Sequence, residues 1–120
     1  MSIPIKIYSY NSSSTCKKAL KWLDENNIQY QLIDIVSNPP DQKVLQKAIK
    51  FAGERKLLFN TRGQSYRRLG AETVRAMTQE EALKELSSDG KLIKRPFLIS
   101  PSGDFLLGFD ESIWRKTLLS

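Results

Sequence analysis

Apolar residues alternate with others at the start of the chain, where Ile3, Ile5 and Ile7 predict a short strand over residues 3–8. The period then changes. Cys16, Ala19, Leu20 and Leu23 recur at steps of three and four, which predicts a helix over residues 16–26 with Lys17, Lys18 and Lys21 largely off its apolar face. Between the two lies a loop of small polar residues, 11–15, in which Ser13, Ser14 or Thr15 can cap the helix by accepting from its free amides. Asn26-Asn27 is a plausible stop. Tyr30, Leu32 and Ile33 mark a second strand over residues 29–36, and Asn38-Pro39-Pro40-Asp41 breaks the pattern.

A helix over residues 41–52 buries Val44, Leu45, Ala48 and Ile49, and Gly53 ends it. Residues 57–69 fit neither period and predict short helical turns rather than a strand. Thr78 and Glu81 form a capping box at the head of a helix carrying Ala82, Leu83 and Leu86, because each side chain can satisfy an otherwise free amide. Further on, Arg95-Pro96 leads into the apolar run Phe97-Leu98-Ile99. Residues 101–104 read as a hairpin turn, Phe105-Leu106-Leu107 as the returning strand, and Ile113, Trp114 and Leu118 belong to a last helix. A strand–helix–strand crossover at the start implies a parallel pair, and the late hairpin adds an antiparallel one. The expectation is one α/β domain of 120 residues with a mixed sheet, without repeats or low-complexity linkers.

Composition narrows the chemistry. No histidine is present, which removes Ser-His-Asp and Cys-His catalysis and every zinc site that needs His; one cysteine, Cys16, precludes an internal disulfide and a thiolate-rich metal site. A lone Cys agrees with a reducing compartment. No apolar run approaches the roughly 18–20 residues that span a bilayer, and no signal core follows Met1, so a cytoplasmic location is expected. The net charge of +6 favours anions such as oxyanions, glutathione, acidic protein surfaces or nucleic acid, although solubility alone accounts for many basic domains. Residues 60–63 lack the glycine spacing of a phosphate loop, and Tyr66-Arg67-Arg68 and Lys17-Lys18-Lys21 read as solvated faces rather than nucleic-acid stripes.

A strand, a polar loop and a Cys at the start of a helix suggest a thioredoxin-like site. With Lys17-Lys18-Ala19 and Trp22-Leu23, the stretch Leu57-Leu58-Phe59-Asn60-Thr61-Arg62-Gly63, Lys94-Arg95-Pro96 before a strand and Leu107-Gly108-Phe109 after it, almost the whole chain resembles the arsenate reductase-like family that includes ArsC, Spx and YffB-type proteins. The resemblance implies a thioredoxin-like redox core, about residues 1–40 and 90–120, with a helical insertion at about 41–86. It also implies a cis bond at Pro96, proline being the residue for which cis is cheap.

By that resemblance the chain is a thiol–disulfide redox protein, arsenate reductase-like or glutaredoxin-like. It would act on an oxyanion or a glutathione-linked substrate, with no bound cofactor and with glutathione or thioredoxin as reductant. The family's nucleophilic Cys falls at Ser13, and the Cys-x-x-Cys pair of Spx-like proteins falls at 13 and 16. Either the natural protein lacks the first thiol or serine has been put in its place. Cys16 is then the resolving or sole thiol, or simply a small apolar residue in line with Ala19, Leu20 and Leu23. Arg95 resembles an oxyanion-binding arginine, its fork suited to two parallel hydrogen bonds, against a plain surface arginine. Asn11, Ser12, Lys17, Arg62 and Pro96 complete the implied substrate site, Arg62 having a turn role as its competing explanation. A further arginine of ArsC enzymes appears as Gly108, which weighs against arsenate itself. The alternative is an Spx-like redox-responsive transcriptional regulator that binds RNA polymerase.

Overall fold

The computed structural model describes residues 4–119, so the expected contribution of Ile3 lies outside them. Two compact units are formed, the first by residues up to Asp34 and from Arg95 onward, the second by Ile35–Lys94.

In the first unit, strand β1 (Ile5–Ser9) shows the alternation read from its sequence, with Ile5, Ile7 and Ser9 buried. It pairs in parallel with β2 (Tyr30–Asp34), Ile7 opposite Leu32. On its other side it pairs antiparallel with β3 (Phe97–Ile99), which pairs antiparallel with β4 (Phe105–Leu107). The mixed sheet has the order β2-β1-β3-β4. Helix α1 (Ser14–Glu25) is the crossover between β1 and β2, and α6 (Glu111–Leu119) closes the chain. Trp22, with Cys16, Ala19 and Leu23, completes the buried stripe of α1, while Leu20 is only partly buried. On α6 Trp114 is buried but Ile113 is half exposed.

The core of this unit gathers Ile5, Ile7, Ala19, Trp22, Leu23, Leu98, Leu106 and Trp114. The Trp114 ring meets Phe109 edge-on at 4.9 Å and Trp22 edge-on at 6.1 Å. The two indoles differ in one respect. Trp114 Nε1 donates to the Gly108 carbonyl at 3.2 Å, whereas the buried Trp22 Nε1 has no protein acceptor. Gly108 has φ 75°, a conformation that costs glycine least, and its amide donates to the Pro96 carbonyl at 2.9 Å. Trp114 therefore braces the turn that holds Pro96.

The second unit is helical. Helix α2 (Gln42–Ala52) buries Leu45, Ala48 and Ile49, with Val44 only partly buried; Asp41 accepts from the Val44 amide at 2.9 Å. It stops at Gly53, which is left-handed at φ 91°. The short turns expected over residues 57–69 are a 3₁₀ turn at Arg55–Leu58 and α3 (Gln64–Leu69), and a further short helix, α4 (Ala71–Ala76), follows beyond that stretch. Helix α5 (Gln79–Ser88) begins with both bonds of the capping box, Glu81 N to Thr78 Oγ1 at 3.1 Å and Thr78 N to Glu81 Oε1 at 2.9 Å. A single bridge joins Phe59 to Ile93. It is extended by bonds from Lys94 N to Leu58 O at 2.7 Å and from Asn60 N to Leu92 O at 2.8 Å. Gly90 is buried, and a Cβ there would lie 1.8 Å from the Ile35 carbonyl oxygen, so only glycine fits. No helix among the described residues is long and apolar enough to cross a membrane.

The unequal indoles make a comparison. Phenylalanine at either tryptophan removes similar apolar area, but Trp114→Phe also strands the Gly108 carbonyl, whereas Trp22→Phe removes a donor that was buried without a protein partner. Trp114→Phe is expected to cost more in urea unfolding by about 2 kcal/mol; equal losses would show that Trp22 Nε1 is as well satisfied as Trp114 Nε1. Acid is the second lever. Glu81 is held below its ordinary 4.5 chiefly by the Thr78 amide and hydroxyl, and Asp110 below 3.8 chiefly by the Ser112 hydroxyl and then by the Ile113 and Ser112 amides. Their charged forms stabilise the fold above those ordinary values, and that contribution is lost as pH falls through the lower folded values. Glu81→Gln with Asp110→Asn should narrow the stability gap to the parent as pH falls through the acid range, with the parent's advantage complete at neutral pH. A gap independent of pH in denaturant melts at several pH values would contradict this.

Candidate functional site

The loop between β1 and α1 and the turn before β3 meet within the first unit. Ser13 is the N-cap of α1: its backbone is extended, and its Oγ accepts the Cys16 amide at 3.3 Å. Its carbonyl accepts from the Lys17 amide at 3.1 Å, and its own amide donates to the Tyr10 carbonyl at 3.0 Å. Of the three capping residues open to the sequence, the helix uses the first. Position 13 is thus where the amides and partial positive charge of the helix start are concentrated.

Cys16, one turn on, is 1% exposed and its Sγ accepts from the Tyr10 amide at 3.4 Å. Its side chain thus lies in the apolar stripe and also accepts a hydrogen bond from the loop. Asn11 and Ser12 are exposed in the turn before the cap, with Ser12 Oγ donating to Asn11 Oδ1 at 3.4 Å, and Lys17 is exposed on the first helical turn.

The second half of the site comes from register. Tyr8 lies opposite Phe97 at the end of the antiparallel β1–β3 pair, so Arg95 and Pro96, just before β3, come close to the residues that follow β1. The Arg95–Pro96 bond is cis and Pro96 is buried. The Arg95 guanidinium carbon lies 4.7 Å from the centroid of the Tyr10 ring. Tyr10 is therefore the residue that sequence reasoning missed. Its amide, carbonyl and ring touch Cys16, Ser13 and Arg95 respectively, and its only sequence signal was its place at the end of a strand.

Arg62 belongs to the second unit. It is exposed in the turn that residues 60–63 make, closed by the Gly63 amide to the Asn60 carbonyl at 3.3 Å. Asn60 Nδ2 also donates to the Lys91 carbonyl at 3.4 Å. This stretch, one of those that carried the family resemblance, thus does local structural work through Asn60 and Gly63, while the Arg62 side chain faces solvent. Among the described residues no group of three or more His, Cys, Asp or Glu side chains could hold a metal ion.

In chemical terms the first unit offers a helix start, a fixed guanidinium and a buried cis-proline, with a hydroxyl where a nucleophile would sit. An exposed oxyanion or carboxylate can be held there by charge and amides. Ser13 has no histidine to activate it, and its oxygen is already used as a cap, so nucleophilic attack from it is unsupported.

Comparison with known proteins agrees with this architecture. The model of the ArsC family matches residues 8–117. The uncharacterized protein YusI of Bacillus subtilis (strain 168) is 38% identical over 109 residues, covering 89% of this chain and 92% of its own. A solved structure described as a possible arsenate reductase from Streptococcus mutans UA159 is 39% identical, with a TM-score of 0.81 over 88% of this chain and 90% of the other. The global transcriptional regulator Spx 2 of Bacillus anthracis is 25% identical over 115 residues, covering 95% of this chain and 86% of its own. The fold is thioredoxin-like, and the chain belongs to the ArsC family.

Proposed function

We propose that this chain is an arsenate reductase-like thiol–disulfide scaffold whose nucleophile position is occupied by serine, so that as it stands it binds its oxyanion or glutathione-linked ligand without reducing it. The observation that carries this is the position of Ser13: its Oγ is directed at the Cys16 amide in the first turn of α1, the place where a thiolate would be stabilised by amides and helix dipole. The family membership supports the redox scaffold, and the burial of Cys16 supports the loss of turnover.

With a cysteine at 13, its thiolate would attack a disulfide sulfur of the substrate and expel the other sulfur as a thiolate. Cys16, as thiolate, would then attack the sulfur at 13, releasing the bound portion as a thiol and leaving a 13–16 disulfide for glutathione or thioredoxin to reduce. Arg95, beside Tyr10, and the helix start would hold the anionic end of the substrate.

A second reading is favoured by the likeness to Spx 2: a regulator that acts by binding RNA polymerase, for which a turnover thiol is unnecessary. Co-elution of the purified chain with RNA polymerase on gel filtration, together with no thiol turnover after Ser13→Cys, would favour it over the first.

The deciding experiment is Ser13→Cys against the parent, titrated in glutathione redox buffers. The expected result is a reversible 13–16 disulfide with a potential of about −200 to −270 mV, and a thiol at 13 with a pKa well under the ordinary value of about 8.5. An ordinary pKa with no pairing to Cys16 would defeat the redox reading. The parent is expected to react with a thiol reagent only as fast as it unfolds, because Cys16 is buried; rapid labelling under native conditions would show that the sole thiol is accessible after all.

A further inference from the structure

Most of the net charge of this protein sits in one stretch. Residues 55–77 contain Arg55, Lys56, Arg62, Arg67, Arg68 and Arg75 and a single acid, Glu72, whereas the rest of the chain carries thirteen cations and twelve acids. Among the described residues neither Lys56 nor Arg75 forms an ion pair. Within the second unit this stretch encloses a cavity of about 110 Å³.

The walls divide by chemistry. Phe59, 3% exposed, and Val74, 7% exposed, give an apolar floor, and the Tyr66 ring meets Phe59 edge-on at 6.2 Å. Lys56, Arg75 and Arg55 supply three cations and Thr61 a hydroxyl, and no acidic residue lines the space. Arg55 is held rigidly. Its guanidinium donates to the carbonyls of Val74 at 3.2 Å, Arg75 at 3.4 Å and Met77, and to Gln79 Oε1 at 3.3 Å. Those acceptors are neutral, so its charge stays in place; Glu81, whose carboxylate feels Arg55, is not part of the lining.

We propose that this cavity is a binding site for a small ligand with a phosphate or carboxylate head and a compact apolar body. Lys56 and Arg75 take the head, Arg55 adds a fixed positive field, and Phe59, Tyr66 and Val74 take the apolar part. Charge, donor geometry and volume limit the ligand. Cationic walls without an acid disfavour a cation or a neutral polar guest. Guanidinium and ammonium donors suit oxyanions, the guanidinium by its paired donors. The volume is below the several hundred Å³ of drug-sized pockets, so the apolar body is no larger than a single small group such as a phenyl ring. This site lies entirely in the second unit and does not depend on the chemistry of Ser13 or Cys16.

The test uses the full chain, isotopically labelled, titrated with phenyl phosphate at low ionic strength and followed by amide shifts. Saturable shifts centred on residues 55–77 are expected. Lys56→Gln with Arg75→Gln should weaken binding about tenfold, since both side chains lie at the surface and neither holds the fold through an ion pair. Lys84→Gln, an exposed position on α5, should leave binding unchanged. Tyr66→Leu provides a second measurement, because it should weaken phenyl phosphate more than inorganic phosphate. The proposal is overturned by the absence of saturation at roughly 10 mM ligand. Saturation that survives unchanged in the double variant, or that maps to residues outside the stretch, overturns it equally.

Discussion

The first unit depends on how the start of α1 is satisfied. Four amides at a helix start have no partner within the helix, and leaving them buried without one would be costly. Ser13 takes the Cys16 amide, while Tyr10 accepts from the Ser13 amide and donates its own to the Cys16 sulfur. These bonds fix the bend between β1 and α1. The same bonds define the candidate site, so the loop cannot be reshaped for a new ligand without disturbing the entry of the helix. A cysteine at position 13 would keep the backbone part of this arrangement and exchange a capping oxygen for a sulfur that the same amides can stabilise as an anion.

The other half of the site is held by a chain of contacts that begins in the core. Trp114 bonds the Gly108 carbonyl, Gly108 bonds the Pro96 carbonyl, and the β1–β3 register brings Arg95 over the Tyr10 ring. Apolar burial on α6 is thereby coupled to the placement of a cation beside the helix start. In this arrangement Gly108 has a clear local reason to be glycine, its positive φ, which bears on why no arginine side chain stands there.

Features that depend on neighbours in sequence were legible before the structure. The capping box of Thr78 and Glu81, the stop at Gly53, the crossover around α1 and the proline entry to β3 all follow from local periodicity and turn chemistry. The reading of residues 57–69 as short turns also rested on local cues, namely the lack of either period. What could not be read depends on partners far apart in sequence. The contact between Arg95 and Tyr10 needs a strand register spanning some 85 positions. Trp22 in place of Leu20 on the buried stripe follows from where Trp114 and Phe109 happen to stand. The cavity floored by Phe59 and Val74 needs α3, α4 and the 3₁₀ turn folded together. Arg62 was singled out by resemblance, and its neighbours Asn60 and Gly63 turned out to have the more visible structural duties.

Both tryptophans, Trp22 and Trp114, stand in the first unit, and Tyr66 is the lone tyrosine of the second. Indole emission therefore reports on the sheet unit and is nearly blind to the helical one. A melting curve taken by fluorescence follows the first unit, whereas far-ultraviolet circular dichroism weighs in the four helices between Gln42 and Ser88 as well. Coincidence of the two curves is the requirement for treating the chain as one cooperative system. Divergence would make the helical unit a separately melting body, whose loss the usual optical assay would pass over in silence.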